Sequence, residues 1–152
     1  MDIAKERKSI ADNIRKYGWH CLHVFPNQPG GTPFTYTIGL TETYGVPEIM
    51  LFGFPHDRSH PVLSTCAALI KKGYRFETDM PHDNVLMGDY KVIFKSAKPQ
   101  CFEEYFGTAM RYYGTQKFEA IVMFIPDKHH HFPWKINYAG APATEALSIV
   151  SM

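Results

Sequence analysis

Acid–base chemistry is the first activity that the residue types of this sequence suggest. Carboxylates and a histidine stand where strongly apolar segments begin or end: Glu48 opens the apolar run 48–54, and Asp127 and His131 follow the apolar run 118–125. A carboxylate beside an imidazole can share a proton with it and can move that proton to or from a substrate. Glu48, Asp127 and His131 are therefore the candidate catalytic residues.

A second group of residues is suited to holding a ligand in place. The hydroxyl groups of Tyr36 and Thr37 can orient a substrate, and the indole of Trp134 can stack on a planar ring. His20, at the start of a predicted strand, is the fourth ligand-binding candidate. Pro133 stiffens the loop that presents the indole. With the acid–base candidates, these residues predict one pocket that Trp134 closes.

Alternation along residues 34–40 indicates where the ligand would lie. Large side chains fall on one face of the predicted strand, and Thr35, Thr37 and Gly39 fall on the other. A face of small side chains lets a bulky group approach the backbone. We expect a planar, nucleotide-like or flavin-like ligand between this face and Trp134.

Each candidate also has a structural interpretation that the sequence leaves open. Thr37 can pair across strands, Glu48 can be a solvated strand end, and His20 can be a satisfied core histidine. Trp134 can plug the edge of the sheet instead of stacking on a ligand. Stability and ligand affinity, measured together on a Trp134 variant, distinguish the two interpretations.

Two groups of histidines raise the question of metal binding. His56 and His60 are four residues apart at a predicted helix start, which places both imidazoles on one face. A third donor is needed to complete a metal site, and the candidates for it are Asp57 and the histidines of the loop 129–131. His129, His130 and His131 alternate in direction along a loop, so at most two of them face one pocket. We predict no metal ligand and interpret these histidines as solvated, except His131.

Composition narrows the choice of partner and compartment. Sixteen basic residues balance 15 acidic ones, so we predict no nucleic-acid partner. The chain has no membrane-length apolar run and no signal-peptide pattern, and its three cysteines lack a C-x-x-C pair. These features predict a cytoplasmic protein that binds no membrane. Low net charge and 22 aromatic residues predict self-association, most simply a homodimer.

The elements that must position these residues form one α+β domain over residues 1–138. Apolar periodicity predicts about three helices packed on a largely antiparallel sheet of about five to six strands. The helices are expected at 2–17, 57–72 and 102–113, the strands at 19–25, 34–40, 48–54, 74–77, 89–96 and 118–125, and a turn at 27–33. Residues 139–152 are small and polar apart from three aliphatic side chains, so we expect a loosely held tail.

Several segments together resemble domain-of-unknown-function family 4262, a family of bacterial and phage proteins. The segments are 17–20 (YGWH), 34–40 (FTYTIGL), 47–49 (PEI), 52–54 (FGF), and Asp127 with 132–134 (FPW). The resemblance spans most of the chain and implies no known reaction or cofactor. His129 and His130 depart from the family pattern, which usually has a charged residue and a glycine at these positions.

Two classes of function follow from the sequence. The first is a small-molecule-binding domain, with or without acid–base chemistry at the predicted pocket. The second is a protein-interaction module, such as an immunity or anti-defence inhibitor, without catalysis. The commonest hydrolase, nucleotidase, dehydrogenase and metalloprotease motifs are absent, so no motif assigns a cofactor or decides whether the protein is an enzyme.

Overall fold

A six-stranded mixed sheet organises the part of the chain that the computed structural model describes, residues 2–26 and 29–152. The strands are β1 (His20–Val24), β2 (Phe34–Ile38), β3 (Glu48–Phe52), β4 (Pro81–His82), β5 (Val92–Ser96) and β6 (Ala120–Phe124), in the spatial order β1-β2-β3-β6-β5-β4. The central pair β3 and β6 is parallel, and the other pairs are antiparallel. The predicted α+β class with a largely antiparallel sheet is confirmed.

Helices cover both faces of this sheet. They are α1 (Ile3–Tyr17), α2 (Leu40–Tyr44), α3 (His56–Lys71), α4 (Phe102–Tyr105), α5 (Gly107–Tyr113) and α6 (Thr144–Ser148). Helix α1 begins where the Asp2 carboxylate accepts the backbone N–H groups of Ala4 and Lys5, and it ends at Gly18, whose φ of 90° is left-handed. Both signals are visible in the sequence.

Two apolar clusters lie on opposite faces of the sheet. One joins Tyr36 and Val122 to residues of α1, α5 and α6. The other joins Ile49 and Ile121 to Leu63 and Cys66 of α3. Because successive strand residues face opposite ways, the apolar strands β3 and β6 contribute to both clusters. Their ends are therefore held from two sides.

The small face of β2 is not open to a ligand. Thr35 and Thr37 are fully buried, and α3 packs against β2. The strand also stops at Ile38, since Gly39 has a φ of 115° and Leu40 begins α2. The predicted ligand position between this face and Trp134 is wrong, because a helix takes the space that the small side chains leave.

The structure adds two elements that the sequence did not predict, α2 and the two-residue strand β4, and it differs at two predicted elements. Residues 74–77 are not a strand. Tyr74 and Phe76 are two positions apart because both rings pack against His82, and Phe94 packs against Phe76 in the same cluster. The helix predicted over 102–113 is divided at Phe106, whose φ of −117° and ψ of 30° are not helical.

Residues 139–152 differ from the expected loose tail. They contain α6 and bury Ala146, Ile149 and Val150. The backbone N–H of Ser151 bonds to the Ser96 carbonyl, and Val150 bridges to Ala97 beside β5. Burial and backbone pairing together hold the segment against the domain. Of the turn predicted at 27–33, Asn27 and Gln28 lie outside the described residues.

Candidate functional site

Glu48 occupies a buried polar cluster at the start of β3. Its side chain has no exposed surface, and its two oxygens accept hydrogen bonds from five donors. The donors are the Thr37 hydroxyl at 2.7 Å, the backbone N–H groups of Gly39 at 3.0 Å, Leu40 at 3.2 Å and Thr41 at 3.2 Å, and the Tyr113 hydroxyl. Burial raises the pKa of Glu48, and these donors oppose that shift.

The Glu48 cluster connects four elements of the fold. Thr37 belongs to β2, the three backbone donors are the N-cap and first two residues of α2, and Tyr113 ends α5. Thr37 also accepts the backbone N–H of Ile49 at 2.9 Å. Burial, followed by the Glu48 carboxylate, raises the pKa of Tyr113 and keeps it a donor. With no accessible surface and all its oxygen lone pairs occupied, Glu48 has the geometry of a structural anchor.

Glu48 and Asp127 lie at opposite ends of the sheet. In the parallel pair, Glu48 is opposite Ala120 at the start of β6, whereas Asp127 follows the end of β6 at Phe124. At about 3.3 Å per residue, the strand alone separates them by more than 10 Å. The predicted pocket that joins Glu48 to Asp127 and His131 is therefore not formed.

The structure does bring Asp127 and His131 together. The Asp127 carboxylate accepts the backbone N–H groups of His129, His131 and Ala139 at 2.8–2.9 Å, and its Oδ2 lies 3.4 Å from His131 Nδ1. Asn137 Nδ2 lies 3.1 Å from Nε2 of the same imidazole. Burial raises the pKa of Asp127, but the backbone donors and His131 outweigh it and lower the pKa to about 2.

The low pKa of Asp127 predicts a stability change in acid. A carboxyl group whose pKa is lower in the folded than in the unfolded chain stabilises the fold above its unfolded pKa of 3.8 and loses that contribution as the pH falls towards 2. We expect the melting temperature of the wild type to fall between pH 4 and pH 2, and the melting temperature of Asp127→Asn to fall less steeply over the same range. Equal slopes for wild type and variant would contradict the assignment; Asp89→Asn, an exposed neighbour, is the control.

Trp134 is packed into the protein more than it is presented to solvent. Its indole stacks on Phe132 with ring centroids 5.2 Å apart and meets Phe124 edge-on at 5.4 Å. The Lys95 ammonium lies 4.5 Å from the indole centroid and 2.7 Å from the Asp79 carboxylate. These contacts give Trp134 the geometry of a half-buried plug.

The remaining ligand-binding candidates lie apart from this loop. His20 Nδ1 lies 2.9 Å from Asn13 Nδ2, and burial lowers the pKa of His20 although Glu6 opposes it. Tyr36 is almost fully buried; its hydroxyl accepts the Ala109 N–H at 3.3 Å, and burial raises its pKa to about 12. Neither residue shares a pocket with Asp127, His131 or Trp134.

His56 and His60 line a shallow opening together with His20 and Cys21 of β1. The ring centroids of His56 and His60 are 5.7 Å apart, His60 stacks on Trp19, and His56 meets His23 of β1 at 5.4 Å. Sequence reasoning missed His23, because the contact joins residues 33 positions apart. Within residues 2–26 and 29–152, no three histidine, cysteine or acidic side chains are arranged to hold a metal ion.

A cavity of about 500 Å³ opens at the carboxyl ends of β3 and β6. One wall consists of the strand ends with Phe52, Phe54 and Phe124, and the facing wall consists of Tyr138 and residues 140–146, with Glu145 among them. A side chain at Gly140 would collide with the Tyr138 ring, so glycine lets that ring lie against the backbone. The FGF segment 52–54 was the one part of the cavity wall that the sequence patterns singled out. No pattern in the sequence indicated Tyr138 or Glu145 as wall residues.

The fold and its comparisons define the class of protein. The chain is an α+β domain with an open, mostly antiparallel sheet and a cavity at the carboxyl ends of its parallel central pair. It belongs to the family described as domain of unknown function (DUF4262), whose model matches residues 13–139. No curated protein and no solved structure matches the chain. Among the described helices, none combines the length and apolar character needed to cross a membrane.

Proposed function

We propose that this protein binds a small molecule in the cavity at the carboxyl ends of β3 and β6, which we name the strand-end cavity. Its volume of about 500 Å³ lies within the range of about 300–1,000 Å³ that small-molecule sites occupy. Its position supports the proposal, because ligands of open sheets with parallel strands commonly bind at the carboxyl ends of those strands. This combination of size and position is the observation that carries the proposal.

The walls of the strand-end cavity favour a ligand with a planar ring. Phe52, Phe54 and Tyr138 supply aromatic surface, and Thr32 and Ser148 supply hydroxyl groups that can orient polar atoms. Nucleotide-like and flavin-like compounds are therefore the first ligands to test. Trp134 takes part indirectly, because it packs against Phe124 behind the wall.

Acid–base chemistry, if the ligand reacts, falls to Asp127 and His131. They form the one acid–base pair among the predicted catalytic residues that is in contact. The loop that carries them also contributes Pro126 and Pro133 to the cavity wall. Ligand binding does not require this pair, so the binding proposal stands independently of catalysis.

A larger opening, of about 810 Å³, lies near the amino ends of the same strands. It includes Pro47, Lys117 and Glu119, and aromatic rings such as Phe102 and Phe118. We favour the strand-end cavity although it is smaller. Its position at the carboxyl ends matches the general rule for such sheets, and the family's Phe52-Gly53-Phe54 segment lines it.

Filling the strand-end cavity should abolish ligand binding without unfolding the protein. Ala141 is exposed at the rim, so Ala141→Trp places an indole over the opening without disturbing the core. We expect at least a tenfold loss of affinity, about 1.4 kcal/mol, in isothermal titration calorimetry with a nucleoside, nucleotide and flavin panel. Ala68→Trp, on the exposed side of α3, is the matched control. Equal affinities for both variants would place the ligand elsewhere.

An interaction module is the second candidate function, and the open edge of the sheet favours it. Strand β1 pairs on one side with β2, and the exposed rings of Tyr17 and Phe25 flank it. An extended segment of another protein, or β1 of a second copy, can add a strand at such an edge. Failure of the whole ligand panel, with a partner that co-purifies at a fixed ratio, would favour this function.

The proposal also includes a cytoplasmic location and a function that does not involve nucleic acid. Cys21, Cys66 and Cys101 are unpaired, and burial raises the pKa of the Cys66 thiol to about 12. Three cysteines without a disulfide support a cytoplasmic location. The balance of 16 basic and 15 acidic residues supports a function without nucleic acid.

A further inference from the structure

The charge of the strand-end cavity restricts what it can bind. Among the described residues that line it, Glu145 is the one charged side chain. The others are aromatic or aliphatic residues, prolines, glycines, and the hydroxyl-bearing Thr32, Tyr138, Thr144 and Ser148. The local charge is therefore negative. Desolvating an anionic ligand against an uncompensated carboxylate is unfavourable.

The usual means of binding a phosphate are missing from these walls. No lysine, arginine or histidine is among the described lining residues. Helix α6 begins at Thr144 beside the cavity, but it has five residues and carries Glu145 in its first turn. A phosphate therefore finds neither a cationic partner nor a favourable helix terminus here.

Glu145 is held in place and keeps acceptor capacity for a ligand. Its Oε2 accepts the Tyr105 hydroxyl at 2.9 Å, and its Oε1 lies 3.4 Å from the Thr32 backbone nitrogen. Burial and the neighbouring Glu145 raise the pKa of Tyr105, which keeps its hydroxyl a donor. A carboxylate has about four lone-pair positions, so these two contacts leave room for N–H groups of a ligand.

We infer that the strand-end cavity selects uncharged or cationic planar compounds, such as nucleosides, dephosphorylated flavins or aromatic amines, and rejects their phosphorylated and anionic counterparts. The inference rests on the proposed function and refines its ligand class. The aromatic wall of Phe52, Phe54 and Tyr138 holds the ring, and Glu145 accepts its amino groups. Specificity then comes from charge as much as from shape.

Three matched pairs of ligands test this selectivity on the full chain. The first pair is adenosine and adenosine monophosphate, and the second is riboflavin and flavin mononucleotide; the members of each differ by a phosphate. The third pair is tryptamine and indole-3-acetate, whose charges have opposite signs. We expect the uncharged or cationic member to bind at least about tenfold more tightly in titration calorimetry for each pair that binds. Glu145→Gln keeps the side-chain shape and should reduce the tryptamine preference about tenfold.

The control and the outcomes separate this inference from the binding proposal. Glu119→Gln, at the exposed amino end of β6, should leave every preference unchanged. Tighter binding of the anionic members, or a preference that Glu145→Gln does not alter, overturns the selectivity while Ala141→Trp still reports binding in the cavity. If no member of any pair binds, both the selectivity and the proposed function are overturned. Melting temperatures of the variants verify that each is folded.

Discussion

Glu48→Ala should cost about 3–5 kcal/mol in the free energy of unfolding, because it leaves several buried donors without their acceptor and each such group costs about 1–3 kcal/mol. The change leaves three backbone N–H groups and the hydroxyls of Thr37 and Tyr113 without their shared acceptor. Each buried unpaired group is costly. At roughly 2–4 °C per kcal/mol for a chain of this size, the melting temperature should fall by about 10 °C. Urea denaturation measures the energy directly.

Two variants control this experiment. Glu119→Ala removes an exposed carboxylate beside the same strand pair and should change stability by no more than about 0.5 kcal/mol. Glu48→Gln keeps the size and one acceptor oxygen, so an intermediate loss is expected. A loss below about 1 kcal/mol for Glu48→Ala would show that the cluster is not an anchor, and would reopen a chemical role for this carboxylate.

Trp134→Ala should destabilise the protein by about 3 kcal/mol, the lower end of the range for truncating a large aromatic residue in a core. The indole is half-buried, and the change removes its contacts with Phe132, Phe124 and the Lys95 ammonium. Because Trp134 lies behind the cavity wall, we expect ligand affinity to change much less than stability. Chemical denaturation and titration calorimetry on one preparation measure both quantities.

Trp134→Phe is the matched variant for this comparison. A smaller ring can keep the stack on Phe132 and the contact with Phe124, so about half of the lost stability should return. If Trp134→Ala instead abolishes ligand binding and leaves the free energy of unfolding unchanged, the indole is a stacking platform, as the sequence first suggested. Stability and ligand affinity, measured together, thus decide whether Trp134 is a structural plug or a stacking platform for the ligand.

Local signals in the sequence predicted most of the elements correctly. Asp2 and Gly18 mark the ends of α1, and the apolar residues Cys66 and Ile70, one helical turn apart, are buried on one face of α3. These signals act within a few residues of each other, so composition and spacing are enough to detect them. Residues 74–77 show the limit of such local signals. Alternation of apolar residues indicates that side chains pack on one face, but it does not show that the backbone pairs with another strand.

The candidate site was harder to predict because it depends on contacts between distant residues. Asp127 and His131 are four positions apart, and the structure brings them together. A site that joins Glu48 to this pair requires the start of β3 to meet the end of β6, and the parallel register of β3 and β6 places these two ends at opposite edges of the sheet. Its real partner Tyr113 is 65 positions away, and no local pattern indicates that pairing.

The register of β3 with β6 also has a kinetic consequence. Pairing Glu48 with Ala120 closes a loop of about 70 residues, whereas the β1–β2 pair joins neighbouring segments, and the entropy of closing a long loop is lost before its contacts form. Both the Glu48 cluster and the strand-end cavity exist only once this long-range pair is in place. We therefore expect the β1–β2 hairpin and the helices to form early in folding, and the strand-end cavity to form later, together with the β3–β6 pair.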